Sequence, residues 1–240
     1  RANQGTAAFI VVDRITNITG GAGMIIDRTS ADDQHDHWED APASESLHHE
    51  RSNVTLDQRS ARYGQQPATI LLTGLAGAGK STIAHALERR LFDEGRAVTV
   101  LDGQNMRLGI SRDLGFTAED RSENLRRSSE VAKLLNDAGL ITICAFVAPS
   151  EEVRQKAATV VGNERFLVVH LSAPVEVCRE RDQEGLYGAA DAGEIANFPG
   201  VSFEYEPPES PALELPTHEI DVDECVTRLV KLLEERGVLA

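Results

Sequence analysis

The sequence predicts an α/β fold in which a mostly parallel β-sheet lies between two layers of helices. From residue 67 onward, short apolar runs alternate with longer segments whose apolar residues recur at helical spacing. The short runs are apolar at successive positions, as strands buried on both faces are. Strict alternation of such strands with helices is typical of a three-layer sandwich around a parallel sheet.

The composition indicates one domain of ordinary size with an additional segment. The chain has 240 residues, 41% of them hydrophobic, and a formal net charge of −15. So acidic a chain is poorly suited to general nucleic-acid binding, which needs clustered lysine and arginine. No apolar run is long enough to span a bilayer, so we expect no membrane partner. The three cysteines (Cys144, Cys178 and Cys225) are sparse and odd in number, which favours a reducing, cytoplasmic location.

Residues 1–27 predict a β-hairpin or two edge strands. Two β-rich runs flank a turn region in AAFIVVDRITNITGGAGMII, and two strands alone are marginal in water. The chain also begins with arginine and lacks the layout of a signal peptide. We therefore expect this part to be the remnant of a larger β-structure in a longer polypeptide.

Residues 28–66 predict a polar, flexible linker. The stretch is highly charged, has few large apolar residues and shows little periodicity. Its histidines (His35, His37, His48 and His49) leave two interpretations open, a metal site or a solvated linker with incidental histidines. We favour the linker, because no cysteine or fixed ligand spacing accompanies them.

Residues 67–240 form the predicted α/β domain, whose elements follow in order. Helix ends coincide with Gly95 and Gly139, and Pro174 stands near a helix start. Strands are predicted at 68–73, 97–101, 140–148 and 165–172, and helices at 81–95, 118–139, 150–161, 173–182 and 222–237.

A phosphate-binding loop follows the first of these strands and opens the first helix. TGLAGAGKST, residues 73–82, matches G-x-x-x-x-G-K-[ST], and its strand–loop–helix context argues against a chance glycine-rich turn. We expect Lys80 to reach the β- and γ-phosphates of ATP and Ser81 to hold Mg²⁺. The fold is then of the P-loop NTPase type. The expected ATP-binding residues are Gly74, Leu75, Ala76, Gly77, Ala78, Gly79, Lys80, Ser81 and Thr82.

The phosphate loop by itself does not separate a kinase from a GTPase or an ATPase. No guanine-reading N-K-x-D motif is present, and no hydrophobic run ends in an Asp-Glu pair. The size of the domain and the polar end of its second strand favour a small-molecule kinase.

Polar residues leave that second strand together, in LDGQNMR at 101–107. Ligands of open α/β sheets bind beyond the carboxyl ends of strands. At this position Asp102 could accept a hydroxyl proton or hold a metal-bound water. It could equally be a helix cap or a turn residue.

Arginines and two phenylalanines surround this point in the sequence. Arg121, Asn124 and Arg127 share one helix face, which suits either a clamp for a dianionic substrate or surface Glu–Arg pairs. Phe116 and Phe198 could stack on a base or pack in the core. The full set of nearby arginines is Arg107, Arg112, Arg121, Arg126 and Arg127.

Six motifs in register from about Thr69 to the C-terminus resemble adenylylsulfate kinase (APS kinase). They are GLAGAGKST, LDGQNMRLGISRDLGF, DRSENLRRSSEVAKLLNDAGL, CRERDQEGLY, GEIANFPG and YEPPESPALEL. The resemblance implies transfer of the ATP γ-phosphate to the 3′-hydroxyl of adenosine 5′-phosphosulfate (APS). The products are PAPS and ADP, in sulfate assimilation.

The resemblance also implies roles for individual residues. Asp102 and Lys80 are the expected catalytic residues, with Asp102 near Mg²⁺ through water. Phe116 and Phe198 sandwich the adenine of APS. Arg181, which lies against the adenine of ATP, and the nearby Cys178 are further expected ATP-binding residues. The expected APS-binding residues are Gln104, Asn105, Arg107, Phe116, Arg121, Asn124, Val147, Ala148 and Phe198.

Three motifs depart from the family pattern. Gln104 replaces the second acid of D-G-D-N, and Ala148 replaces the serine of F-I-S-P. Around the G-L-Y motif, Glu184 and GAAD stand where the family has lysines. The departures keep two alternatives open, another P-loop small-molecule kinase and a degenerate, non-catalytic kinase module.

The N-terminal segment resembles a different protein. FIVVDRITNITGGAGMI, residues 9–25, is similar to the end of the C-terminal β-barrel of the GTPase-like large subunit of bacterial ATP sulfurylase. This implies a bifunctional polypeptide with sulfate adenylyltransferase as partner. The kinase resemblance further suggests a homodimer.

Overall fold

The computed structural model describes residues 6–12, 19–26, 37–44, 46–48 and 50–239. The chain divides into two compact units, Arg1–Asp36 and His37–Ala240. In the first unit, β1 (Thr6–Val12) and β2 (Thr19–Ile26) pair antiparallel, as the sequence predicts. Residues 13–18, which connect them, lie outside the described part.

The second unit is built on a five-stranded sheet in which every strand pair is parallel, so the predicted parallel sheet is confirmed. The strand order is β4-β5-β3-β6-β7, which places the strand before the phosphate loop at the centre. The strands are β3 (Thr69–Thr73), β4 (Val98–Asp102), β5 (Ile141–Ala145), β6 (Phe166–Leu171) and β7 (Leu213–Leu215).

Helices cover both faces of this sheet. Five of them, α2, α4, α5, α6 and α8 below, confirm predicted helices, whereas α1, α3, α7 and the short β7 were not predicted. Their bounds are α1 (Leu56–Tyr63), α2 (Lys80–Asp93), α3 (Gly103–Arg107), α4 (Ala118–Asp137), α5 (Glu151–Val161), α6 (Val175–Glu180), α7 (Leu186–Asp191) and α8 (Val222–Glu235).

The strands divide their side chains between two apolar cores. Ile70 and Leu72 of β3 pack in the core that includes α2 and α8. Leu71 packs in the other core, which includes α4 and α5. Because strand side chains alternate between faces, a strand buried on both must be apolar throughout. Each fully buried leucine contributes about 1.5–3 kcal/mol to stability.

The last part of the predicted linker is not structureless. Leu56–Tyr63 form α1, whose N-terminus is closed by a capping box between Thr55 and Gln58. The prediction overlooked that such a short polar helix can be stabilised by its cap and by its docking rather than by a broad apolar face. The compact unit therefore begins before residue 67, the boundary that the sequence suggests.

Gln65 joins this segment to the sheet. Its Nε2 donates to the carbonyls of Ala97 (2.8 Å) and Gly139 (3.0 Å), and its Oε1 accepts from the Ala97 amide (2.9 Å). The side chain is only 3% exposed, so these bonds satisfy it in the interior.

Trp38 makes a second contact from the polar segment. It lies in a 3₁₀ turn, His37–Glu39, and its Nε1 donates to Ser122 Oγ on α4 at 2.8 Å. His37 pairs with Asp40 at 2.8 Å. Within the described residues no group of three or more His, Cys, Asp and Glu could hold a metal; His35 and His49 lie outside that part. None of the helices described there is both long and apolar enough to cross a membrane.

Candidate active site

A cavity of about 740 Å³ opens at the carboxyl edge of the sheet. Its walls come from the phosphate loop after β3, from residues 102–104 and Arg107 after β4, and from residues 145–148 at the end of β5. Residues 181–187 and the segment around Phe198 complete it. A crevice beyond the carboxyl ends of parallel strands is where open α/β sheets bind ligands.

The phosphate loop needs glycine where it turns closely against its neighbours. Gly77 has φ of 80°, and a Cβ there would lie 2.6 Å from the Cys178 carbonyl oxygen. Gly79, with φ of 95°, immediately precedes α2. The loop therefore turns tightly into the N-terminus of α2, where backbone amides can bind phosphate oxygens. Six of the predicted loop residues, Ala76 to Ser81, line the cavity, as does Thr82.

Lys80 is held inside this loop. Its ammonium donates to the carbonyls of Gly74 (3.0 Å) and Leu75 (2.7 Å), so these two residues orient the lysine and do not line the cavity. Burial lowers the pKa of Lys80 to about 8, an effect that nearby Asp102 partly offsets.

Two residues that the sequence did not single out anchor the loop. Tyr187 donates its hydroxyl to the Ala76 carbonyl at 2.8 Å, and Thr217 Oγ1 donates to the Ala78 carbonyl at 2.9 Å. Arg181 in turn donates to the Thr217 carbonyl at 2.7 Å and lines the cavity. The sequence shows no local pattern for the bonds of Tyr187 and Thr217 to the loop, because their partners are more than a hundred residues away.

Cys178 does not reach the cavity. It is fully buried behind the phosphate loop, and its thiol donates to the Ala173 carbonyl at 3.7 Å. Burial raises the pKa of this thiol. The prediction that Cys178 binds ATP is therefore at odds with the structure, because its side chain packs between helix and loop.

Asp102 caps a helix and also contacts the phosphate loop. Its Oδ1 accepts from the amides of Gln104 (2.8 Å) and Asn105 (3.5 Å), which caps α3. Its Oδ2 accepts from Ser81 Oγ at 2.6 Å. With 6% exposure, the carboxylate is held on the cavity wall beside the phosphate loop.

Two arginines, Arg107 and Arg121, also line the cavity. Arg107 donates to the carbonyls of Gly103 (3.0 Å) and Gly115 (2.9 Å), and Arg121 donates to that of Asn197. Burial lowers the pKa of both, and with the neighbouring Arg107 charge it brings Arg121 to about 10. These guanidinium groups place positive charge at the cavity of an otherwise acidic protein.

Arg127 belongs to the surface instead. It forms a bidentate ion pair with Asp113, at 2.6 and 2.8 Å, and also pairs with Glu123 at 2.7 Å. Arg126 pairs with Glu123 as well. Arg127 therefore belongs to surface ion pairs rather than to a substrate clamp, because its side chain extends towards residues 108–115.

Asn124 faces the cavity with an unused acceptor. Its Nδ2 donates to the Gly103 carbonyl at 3.2 Å, whereas its Oδ1 finds no partner among the described residues. The residue is 1% exposed. A buried unpaired oxygen is unfavourable and suits a site that a ligand completes.

The two phenylalanines differ in their surroundings. Phe116 is 50% exposed, and the Arg107 guanidinium lies 4.5 Å from its ring centre. Phe198 is 6% exposed and packs edge-on against Tyr187, with ring centres 5.0 Å apart. Both line the cavity, but Phe198 is also a core residue.

The positions that depart from the family pattern lie mostly at the cavity. Gln104, Val147, Ala148 and Glu184 line it. Asn105 does not, although it was predicted to bind the acceptor; its described role is the capping bond to Asp102.

The family described as adenylylsulphate kinase matches residues 66–216. A bifunctional enzyme CysN/CysC of Rhodopirellula baltica is 51% identical over 239 residues, 100% of this chain and 37% of that protein. This chain thus spans well under two thirds of that relative.

Two shorter proteins match over most of their own length. An adenylyl-sulfate kinase of Bacteroides thetaiotaomicron is 47% identical over 180 residues, 75% of this chain and 90% of that protein. The structure of the Mycobacterium tuberculosis APS kinase CysC in complex with AMPPNP and APS is 40% identical, with a TM-score of 0.68. That alignment covers 71% of this chain and 99% of the other.

Proposed function

Since the chain belongs to the adenylylsulphate kinase family, we propose that it transfers the γ-phosphate of ATP to the 3′-hydroxyl of APS. The products are PAPS and ADP. The observation that carries the proposal is one cavity lined by a phosphate loop, a carboxylate and two arginines. The ligands named for the Mycobacterium tuberculosis structure, AMPPNP and APS, support the same pair of substrates.

ATP is bound at the phosphate loop in this proposal. The loop amides and Lys80 hold the phosphates, and Lys80 exchanges its bonds with loop carbonyls for phosphate oxygens. Arg181, fixed by Thr217, lies against the adenine. Tyr187 links the loop to the 182–200 segment, which we expect to close and exclude water.

Mg²⁺ fits the residues at this end. The Ser81 hydroxyl and the Asp102 carboxylate meet at 2.6 Å and offer the hard oxygen ligands that Mg²⁺ prefers. Bound there, the ion would neutralise charge on the phosphates. Ser81 would hold it directly and Asp102 through water.

APS is bound beside the two arginines in this proposal. Arg107 and Arg121 pair with its anionic groups, and Asn124 Oδ1 accepts a hydrogen bond from it. Phe116 and Phe198 lie on the two faces of the adenine. The acceptor is thereby oriented with its 3′-hydroxyl towards Asp102.

Transfer is direct and in line. A bond forms between the 3′-oxygen and the γ-phosphorus while the bond from that phosphorus to ADP breaks. Asp102 takes the hydroxyl proton and passes it to solvent. A route through a phosphorylated serine is closed here, because Ala148 has no hydroxyl, and Gln104 leaves Asp102 as the single acid of its motif.

The proposed partners extend beyond the small substrates. The bifunctional relative and the resemblance of residues 9–25 to a sulfurylase β-barrel support a polypeptide in which sulfate adenylyltransferase accompanies the kinase. The homodimer stays a prediction, which sedimentation velocity of the chain would test.

The proposal is tested by mixing the chain with ATP, Mg²⁺ and APS and measuring PAPS by chromatography. Asp102→Asn should keep ATP binding and the α3 cap but lower kcat about a hundredfold or more, since general-base catalysis is lost. Asp93→Asn, an exposed acid on α2, is the matched control.

Other outcomes point elsewhere. Normal ATP binding without PAPS would favour a non-catalytic module, and ADP release with a nucleoside or sugar acid instead of APS would favour another small-molecule kinase. Near-normal turnover of Asp102→Asn would remove Asp102 from the chemistry.

A further inference from the structure

Arg154, on α5, is buried among groups that the proposed reaction does not use. It is 1% exposed, although arginine is normally a surface residue. Its Nε and Nη2 donate to Glu151 Oε2, at 3.1 and 2.6 Å. Partial burial acts to raise the pKa of Glu151, but the hydrogen bonds to Arg154 prevail and lower it. This ion pair explains how the charge is tolerated, not why an arginine is there.

Two further bonds of Arg154 reach backbone carbonyls on different segments. Nη1 donates to the Ala148 carbonyl at 2.7 Å, and Nη2 donates to the Glu206 carbonyl at 2.8 Å. Ala148 lines the cavity, and Glu206 follows the segment of Phe198, which also lines it. Arg154 therefore joins the cavity wall at Ala148 to the segment that follows Phe198, without lining the cavity itself.

Neighbouring bonds hold the same two segments together. The Glu206 amide donates to the Pro149 carbonyl at 2.8 Å. The Glu206 carboxylate accepts from the Glu151 amide at 2.7 Å. Arg154 thus adds side-chain bonds to two segments, 148–151 and Glu206, that are also bonded directly to each other.

The network continues to the phosphate loop. Thr73, the last residue of β3, donates to the Val147 carbonyl at 2.6 Å and lies 3.1 Å from the Tyr205 hydroxyl. Val147 and Ala148, here called the acceptor wall, are consequently tied to the strand that carries the loop.

Ala148 has a backbone conformation that needs such support. Its φ is +40°, in the left-handed region that residues other than glycine rarely adopt. Strained conformations of this kind persist where surrounding contacts hold them. The carbonyl of Ala148 is held by Arg154 and lies 3.4 Å from Thr73 Oγ1.

We propose that Arg154 is a positioning residue for the acceptor side of the site. It holds the acceptor wall and the end of the Phe198 segment at the separation that APS needs, and it touches neither substrate. Arginine suits this place because its planar fork donates in several directions at once, which a lysine ammonium does not reproduce. The identity of the acceptor rests on the proposed function.

Arg154→Lys tests this proposal in the full chain. We expect the KM for APS to rise about tenfold, because small displacements of positioning groups weaken productive binding. The KM for ATP should stay unchanged. Arg165→Lys, which alters an arginine ion-paired with Asp137, is the matched control. Equal changes in both KM values, or none, would overturn the proposal.

A second readout separates this inference from the proposed function. Absence of PAPS with the wild-type chain would reject the proposed function alone. Amide hydrogen exchange then decides the inference: faster exchange confined to residues 146–151 and 203–206 in Arg154→Lys supports it. Unchanged exchange, or a uniform increase along the chain, counts against it.

A further variant applies if Arg154→Lys does not fold. Ala148→Gly tolerates the positive φ but loosens the backbone that Arg154 holds. It should raise the KM for APS, or in a chain inactive on APS accelerate exchange at 146–151. No change in either measurement would contradict the proposal.

Discussion

Asp102 caps a helix and lies where the proposed reaction needs a base. One carboxylate oxygen caps α3, and the other meets Ser81 beside the phosphate loop. Of the two interpretations that the sequence leaves open, the structure shows the cap, and the chemical role stays a prediction. The sequence places Asp102 at a strand end, but its bond from Ser81 depends on how β3 and β4 end at the same edge of the sheet.

Phe116 offers the cleaner test of the proposed adenine sandwich. It is 50% exposed, so Phe116→Ala removes little buried surface, whereas Phe198→Ala would also disturb the core. Losing one stacking face costs about 1–3 kcal/mol of binding. We therefore expect the KM for APS to rise about tenfold, with little change in melting temperature.

Phe92→Ala is the matched control for that variant. Phe92 is 62% exposed, and the Arg89 guanidinium lies 5.0 Å from its ring centre. Both residues are on α2 and do not line the cavity. Its replacement should leave both KM values unchanged. An unchanged KM for APS in Phe116→Ala would reject the sandwich.

Lys80 predicts a pH dependence of ATP binding. Burial lowers its pKa to about 8, so the free enzyme loses this charge as pH rises through about 8. The neutral amine pairs poorly with phosphate, whereas bound ATP favours the protonated form. The Kd of an ATP analogue should therefore rise between about pH 7 and pH 9, and calorimetry measures it.

Lys80→Ala provides the control for this pH effect. The variant should bind the analogue weakly, with a Kd that no longer changes across that pH range. An equally steep change in the variant would assign the titration to another group.

At the scale of elements, the long helices and central strands follow directly from periodicity, and the short ones do not. α3 and α7 are too short to show a helical repeat, and β7 has three residues. α1 was not predicted because its sequence is mostly polar. Their positions depend on caps and on contacts made elsewhere in the chain, such as Tyr187 with Ala76.

Gln65 tests whether the segment around α1 is integral to the kinase unit. Gln65→Ala leaves buried backbone groups of Ala97 and Gly139 unpaired. We expect a loss of about 2–3 kcal/mol of unfolding free energy. The melting temperature should fall by roughly 4–12 °C, measured by calorimetry.

Gln58→Ala changes an exposed glutamine on the same helix and should have a smaller effect, limited to the capping box. If Gln65→Ala melts like the wild type, the segment is a linker after all.

At the scale of the whole molecule, two compact units divide at residue 36. Because the second unit has its own cores, a chain beginning at His37 should melt at the same temperature and show the same KM values as the full chain. A chain beginning at residue 50 lacks Trp38 and its bond to Ser122, and should be less stable.

Thermal unfolding followed by circular dichroism measures both truncations. Trp38 is the single tryptophan of the chain, so its fluorescence reports whether its segment stays on α4. Substantial destabilisation on removing residues 1–36 would contradict the independence of the second unit.

The sequence by itself determined the parallel α/β fold, the phosphate loop and the family. These features are local: apolar periodicity marks elements, and a glycine-rich loop is contiguous in the chain. Only the tertiary structure decided which arginines enter the cavity, that Cys178 lies behind the loop, and that Arg154 joins the acceptor wall to Glu206. These contacts depend on which distant segments pack together. A contact between residues far apart in the chain produces no regular spacing in the sequence.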